Sequence, residues 1–387
     1  MAAFAYRSDL IRTARKMLAI KAISPASGGT GEARRADYLE GVLRSWGLDP
    51  RRYDYIDEYK AKRSNLVLKY GSRQKTLWIL SHTDTVSEGD IGLWRTDPFK
   101  AVVKNGRIYC RGAQDNGQGV LAGMYALKSL LGKSLKYSYG LVLAADEELG
   151  SRYGVQRLLK EHIFKKGDMF VVPDWESSGG SKIEIAEKSM LWLKVTVTGK
   201  QVHASTPEKG LNAFREAAKF ALEVDAYMHE HYVKRSKMFP MGSTFEMTKH
   251  EKNVDSVNII PGKEVFYFDF RVVPDYKLSH VVADVGRIAR RYAAKIDVDV
   301  MPEKQESKPT APNAEIVRVL QSSIKRTLNA DARVVGIGGG TIGAFLRNAG
   351  FDVAVWGMGD DIAHQPDEYA RISDIESEIA VFSDIFL

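Results

Sequence analysis

Seven ionisable side chains stand where apolar runs of the sequence stop: His82, Asp84, Asp115, Glu147, Glu148, Asp174 and His364. Two imidazoles and five carboxylates form a donor set that suits zinc, and also cobalt or manganese. The densest stretch is LVLAADEELG, residues 141–150, where an apolar run ends in three successive acids. Adjacent glutamates at a strand end point in different directions, so one can bind metal while the other handles a proton. His82 and Asp84 follow the apolar run 76–80 and lie two apart, which in extended chain turns both to one side. Asp115 sits among Gly112, Gly117 and Gly119 near the start of an expected helix, where a carboxylate is favoured. Alone, Asp115 reads equally as a cap and Asp174 as a turn aspartate. Two neighbouring cations repel, so a two-metal site needs a shared carboxylate, and Asp115 could serve. One acid must stay off the metals to take a proton from a water whose pKa they lower to roughly 7. The pattern suggests a two-metal hydrolase without assigning the roles.

The elements that must position these groups follow from periodicity. Helical spacing predicts helices at 5–20, 34–46, 118–131, 153–161, 211–232, 278–294, 314–328, 344–349 and 371–387. Apolar or alternating runs predict strands at 65–70, 76–80, 141–145, 168–172, 189–199, 243–249, 265–272, 296–301, 333–337 and 352–356. Asn105-Gly106 predicts a hairpin turn. From about residue 187 the order becomes β-α-β-β-α-β, the split βαβ arrangement, and PEKQESKPTAPN at 302–313 reads as a return linker. The expected architecture is α/β: a catalytic domain at 1–186 and 302–387, with a mixed sheet flanked by helices, and an inserted α+β ferredoxin-like domain at 187–301.

Composition narrows the classes. The 387 residues exceed one ordinary core, which fits two domains. No apolar run approaches the roughly 20 residues needed to span a bilayer, so no membrane partner is expected. The N-terminal segment lacks a signal-peptide apolar block, and one cysteine, Cys110, fits a reducing cytoplasm. The net charge of +7 is spread over short basic clusters without interleaved aromatics, which argues against nucleic acid.

Four segments carry a resemblance. SHTDTV, GRIYCRGAQDNGQG, AADEELGS and VTGKQVHASTPEKGLNA resemble, in order, the motifs of the co-catalytic zinc metallopeptidase and deacylase family. That family includes acetylornithine deacetylase, succinyl-diaminopimelate desuccinylase, carboxypeptidase G and carnosine-type dipeptidases. The resemblance implies His82, Asp115, Glu148, Asp174 and His364 as ligands of two divalent ions, zinc first, with Asp115 bridging. It implies Glu147 as general base and Asp84 as the group orienting His82. His203 would reach the active site of a partner subunit and polarise the scissile carbonyl, which makes the inserted domain a lid and homodimer interface. Asn258, Arg271 and the loop Gly339, Gly340, Thr341 would bind substrate, with Arg271 gripping a carboxylate or, alternatively, pairing within its own domain. The implied activity is hydrolysis of the amide bond of a small anionic N-acyl amino acid, with a dipeptidase, aminopeptidase or carboxypeptidase as the alternative.

Gly338 to Gly343 also spells G-x-G-x-x-G between a strand and a helix, the pattern of a dinucleotide site. The helix is too short, and the motif comes too late in the chain, for that reading. Two departures from the family pattern lie near Asp115: Cys110 replaces a common glycine and Gln118 a common lysine. Ile342-Gly343 departs from the usual Ser/Thr-Asp and leaves side-chain specificity open.

Overall fold

The computed structural model describes residues 6–302 and 305–387. Position 5 of the expected first helix and positions 303–304 of the expected linker lie outside them. The chain divides into two compact units. The first comprises Met1–Ile185, Thr310–Val334 and Thr341–Leu387; the second comprises Ala186–Pro309 and Val335–Gly340.

The first unit is organised by a mixed eight-stranded sheet. Its order is Arg51–Ile56, Lys62–Tyr70, Ser138–Ala144, Thr76–His82, Met169–Ser177, Asp352–Met358, Lys182–Glu187 and Arg333–Ile337. The unit boundary falls inside the last two. The four central strands run parallel, and their flanks are antiparallel. Parallel strands are covered on both faces and read as unbroken apolar runs. Thr76–His82 and Ser138–Ala144 are buried at every position. Gly140 pairs with Trp78, and a Cβ there would fall 2.2 Å from the indole ring, so the indole lies over bare backbone. Helices Gly119–Leu130 and Ile372–Phe386 pack together in this unit. No helix among the described residues is long and apolar enough to cross a membrane.

Several details differ from the sequence reading, three of them in the large sheet. Strand Arg51–Ile56 was not expected because RRYDYI is polar; it is a half-exposed edge that pairs with Lys62–Tyr70. Strand Lys182–Glu187 is not among the expected strands, since charges interrupt its apolar positions; buried Glu184 meets Arg347 at 2.6 Å. Asp174 does not follow a strand end. It lies inside Met169–Ser177, which continues past Pro173 beside a register shift at Val355/Gly357 in its neighbour. A shift of that kind accommodates a proline that has no N–H to give the ladder.

The second unit has a four-stranded antiparallel sheet in the order Thr244–His250, Lys263–Val272, Ser189–Thr198, Lys295–Val300. Alternation sorts its faces: Ser189–Thr198 buries every second side chain. Leu191, Leu193, Val195 and Val197 meet Phe220, Val224, Val281 and Val285 of helices Ala213–His231 and Leu278–Ala289.

Candidate metal centre

Parallel strands side by side end on one edge, the place where open α/β sheets bind ligands. His82 is the last residue of its strand and lies opposite Ala144. Beyond Ala144 the chain passes through Asp146, in left-handed backbone at φ +64°, into a short turn, Glu147–Leu149. Asp84 fixes that turn. Its Oδ1 accepts the N–H of Glu147 at 3.0 Å and its Oδ2 that of Glu148 at 3.2 Å. Its backbone carbonyl lies 3.1 Å from Nδ1 of His82, with Oδ1 at 3.4 Å. A histidine that donates from Nδ1 offers Nε2 as its ligand nitrogen.

Asp115 stands between the two histidines. Oδ1 is 2.8 Å from Nε2 of His82, and Oδ2 is 3.0 Å from Nε2 of His364. Each histidine also meets one further acid: His82 meets Asp174 at 3.2 Å and His364 meets Glu148 at 3.2 Å. Asn116, joined to Asp115 by a cis peptide bond, donates from Nδ2 to Oδ1 of Asp174 at 2.7 Å and to the carbonyl of Pro173. The N–H of Val86 holds Oε1 of Glu148 at 3.1 Å. Two sets of ligand atoms, His82 with Asp115 and Glu148, and His82 with Glu147 and Asp174, each lie within 4.8 Å of one another. His364 is the open member, with a side chain 54% exposed.

The electrostatics describe a pocket rich in acid. Burial raises the Glu147 carboxyl well above the usual carboxylate range, and Asp174 adds to the shift. Burial and then Asp115 bring Glu148 up to about 7. Burial also raises Asp174. Burial would raise Asp115 too, but hydrogen bonds to His364 and His82 hold it low. Hydrogen bonds to Asp115 and Glu148 lift His364 to about 10. Burial disfavours charge on His82, yet Asp174, Asp115 and Asp84 hold its pKa well above the usual value. Carboxyls and imidazoles displaced upward together mark a site short of positive charge. An imidazole and carboxylate set without a thiol is the set that divalent cations would complete.

The residues expected to bind substrate lie elsewhere in the chain. His203, Asn258, Arg271, Gly339 and Gly340 belong to the second unit and Thr341 to the first. His203 is exposed, and its Nδ1 lies 2.7 Å from Oγ of Ser205. Asn258, Gly339 and Gly340 are exposed. Arg271 forms a two-point pair with Asp269 of its own strand, at 2.7 and 3.0 Å. Thr341 is buried and its Oγ1 accepts the N–H of Gly343 at 3.0 Å. Sequence reasoning missed Asn116, Arg111 and Glu368, which hold candidate ligands or the backbone of candidate ligands. The neighbours of Asn116 pointed to Asp115 alone, and nothing in DEYARI marks Glu368 as buried.

Residues 78–387 match peptidase family M20/M25/M40. The chain belongs to this family. It is a metal-dependent hydrolase of C–N bonds with the mixed α/β fold of M20 peptidases. It is 39% identical to an uncharacterized metallohydrolase of Methanocaldococcus jannaschii, over 98% of this chain and 97% of that one. It is 27% identical to a succinyl-diaminopimelate desuccinylase of a Nitratiruptor species, over 97% and 99%. Among solved structures it is similar to a tripeptidase from Staphylococcus aureus, with a TM-score of 0.79 and 20% identity, covering 98% and 97% of the two chains.

In this M20 chain Gln118 is buried and donates from Nε2 to the carbonyl of Met358 at 2.5 Å and to Oε1 of Glu378 at 2.6 Å. The N–H of Met358 reaches the same oxygen at 2.7 Å. Burial pushes Glu378 up to about 8. The unfolded carboxyl titrates near 4.5. Below that value both states hold the proton and stability is unaffected. As pH rises toward 8 only the unfolded chain releases it, so stability falls by up to about 1.4 kcal/mol per pH unit. Glu378→Gln, which keeps the acceptor and removes the titration, should match the wild type at pH 4.5. It should be more stable by a few kcal/mol at pH 8. Denaturant unfolding at the two pH values measures the difference.

Proposed function

We propose that the protein hydrolyses the amide bond of a small anionic N-acyl amino acid at a two-metal centre. The observation that carries this reading is Asp115, with one oxygen toward each histidine and a further acid beside each. His82, Asp115 and Asp174 would hold one ion, and Asp115, Glu148 and His364 the other, with zinc first and cobalt or manganese suited to the same donors. The ions would supply Lewis acidity and make a water acidic near neutral pH. Glu147 takes the proton of the attacking water and passes it to the leaving amine nitrogen. Asp84 keeps His82 in register and anchors the turn that carries Glu147.

Substrate binding is assigned to Asn258, Arg271, Gly339, Gly340 and Thr341. Asp269 occupies the Nε and Nη2 edge of Arg271, so a substrate carboxylate would be met by the remaining Nη1 edge. In this reading the inserted residues 187–301 form a lid and homodimer interface, and His203 of the partner subunit steadies the oxyanion. Strand Thr244–His250 lies at the edge of its sheet, beside a groove lined by Phe214, Ala217, Ala221 and Met247. An unpaired edge next to apolar surface is a ready pairing face. The buried free thiol of Cys110 accords with a cytoplasmic setting.

The test is a panel of N-acetyl and N-succinyl amino acids against free di- and tripeptides, run on protein of known metal content and known mass in solution. Turnover of the acylated amino acids by a two-metal dimer is expected. Cleavage of the free peptides alone makes the protein a peptidase with the same site. Protein that takes up no divalent metal removes the basis of both.

A further inference from the structure

The loop that carries Asp115 and the loop that carries His364 are bolted together by one buried ion pair. Arg111 and Glu368 have side chains 2% and 0% exposed and meet at 2.7 Å. Every oxygen of Glu368 is engaged on the Asp115 loop. Oε2 accepts Nη1 of Arg111 and the N–H of Gly112 at 3.0 Å. Oε1 accepts the N–H of Gln114 at 2.9 Å and that of Asp115 itself at 3.0 Å. The Glu368 carbonyl accepts the N–H of Cys110 at 3.0 Å. Arg111 reaches the other way. It donates from Nη2 to the carbonyl of His364 at 3.2 Å, from Nη1 to that of Gln365 at 3.4 Å and from Nε to that of Ser87 at 3.1 Å. Its guanidinium lies over the ring of Trp94, 5.0 Å from the centroid. Gly112, next to Arg111, has φ +76°, and a Cβ there would fall 2.4 Å from Cγ2 of Thr85, so the Asp115 loop packs on Thr85 through bare backbone. Behind the pair, strands Arg107–Tyr109 and Tyr369–Arg371 join the same two chain segments through backbone hydrogen bonds.

The pair therefore holds the N–H of one proposed ligand and the carbonyl of another. The side chain of Asp115 is left to face both histidines while its main chain is fixed from behind. We propose that Glu368, locked by Arg111, is a positioning residue that sets the spacing between the two metal positions. This rests on the reading of Asp115 and His364 as ligands. A glutamine at 368 would turn an NH2 against two N–H donors and leave Arg111 buried without its counter-charge, which shifts both loops.

The test is calorimetric titration of metal-free protein with Zn²⁺, alongside thermal unfolding of the same metal-free samples. Glu368→Gln is expected to bind Zn²⁺ about 10–100-fold more weakly than wild type, the range seen when an outer partner of a ligand is lost. Excess Zn²⁺ should restore most of kcat with KM unchanged. Glu184→Gln serves as the control, because it breaks another buried ion pair of the same unit, Glu184 with Arg347. It should lose comparable thermal stability and keep its Zn²⁺ affinity. Wild-type Zn²⁺ affinity in Glu368→Gln, or a loss no larger than that of Glu184→Gln, overturns the proposal. If Glu368→Gln does not fold, Glu368→Asp and Arg111→Lys are measured in its place, with intermediate weakening expected and wild-type affinity overturning the proposal. A wild-type chain that takes up no Zn²⁺ overturns the metal centre itself and this proposal with it.

Discussion

Glu147→Gln should slow turnover by about 10²–10⁴-fold, the usual contribution of a positioned general base, and leave two metal ions per chain. The amide keeps the size and the backbone anchor of the carboxylate, because the N–H that Asp84 holds belongs to the main chain. It loses only the ability to accept a proton. The measurement is initial rate together with elemental analysis of the same sample. The second number matters because an oxygen of Glu147 also lies within 4.8 Å of ligand atoms of His82 and Asp174. Metal content falling in step with the rate would make Glu147 a ligand and send the search for the base elsewhere.

Asp115→Asn should cost more than any other single change at the centre. The carboxylate offers an oxygen to each histidine side. An amide offers one oxygen and turns an NH2 toward the other side, with one unit of negative charge gone from between the two proposed cations. One ion should be lost, and the other held more than about 100-fold more weakly, beyond the range typical of outer partners. His364→Ala gives the contrast: it should drop the metal content from two to one and leave the set around His82. Titration of metal-free protein with Zn²⁺ reads both stoichiometries. Two ions per chain in Asp115→Asn would end the bridging assignment.

The parallel core was legible because buried strands are apolar runs, and the candidate site was legible because such runs stop abruptly before His82, the acids 146–148 and Asp174. What stayed hidden was polar structure whose partner is distant in sequence. Glu184 looks like a solvent residue until Arg347 is placed on it. Glu368 is one acid among many until three N–H groups of residues 112–115 converge on it. Asp174 is singled out by the sequence, but its setting inside a strand is not, because a proline inside a strand is tolerated only where the neighbouring register gives way. Local pattern registers what a residue prefers; it does not register what another segment supplies.

The order of the candidate ligands along the chain bears on how the centre would be completed. His82, Asp115, Glu147, Glu148 and Asp174 all precede the second unit, and His364 follows it. A chain made only as far as the second unit contains every residue of the candidate centre except His364. His364 comes only after the second unit, beyond strand Asp352–Met358. A chain that stops short of it therefore carries a single histidine of the pair, and one of the two proposed metal positions lacks its imidazole.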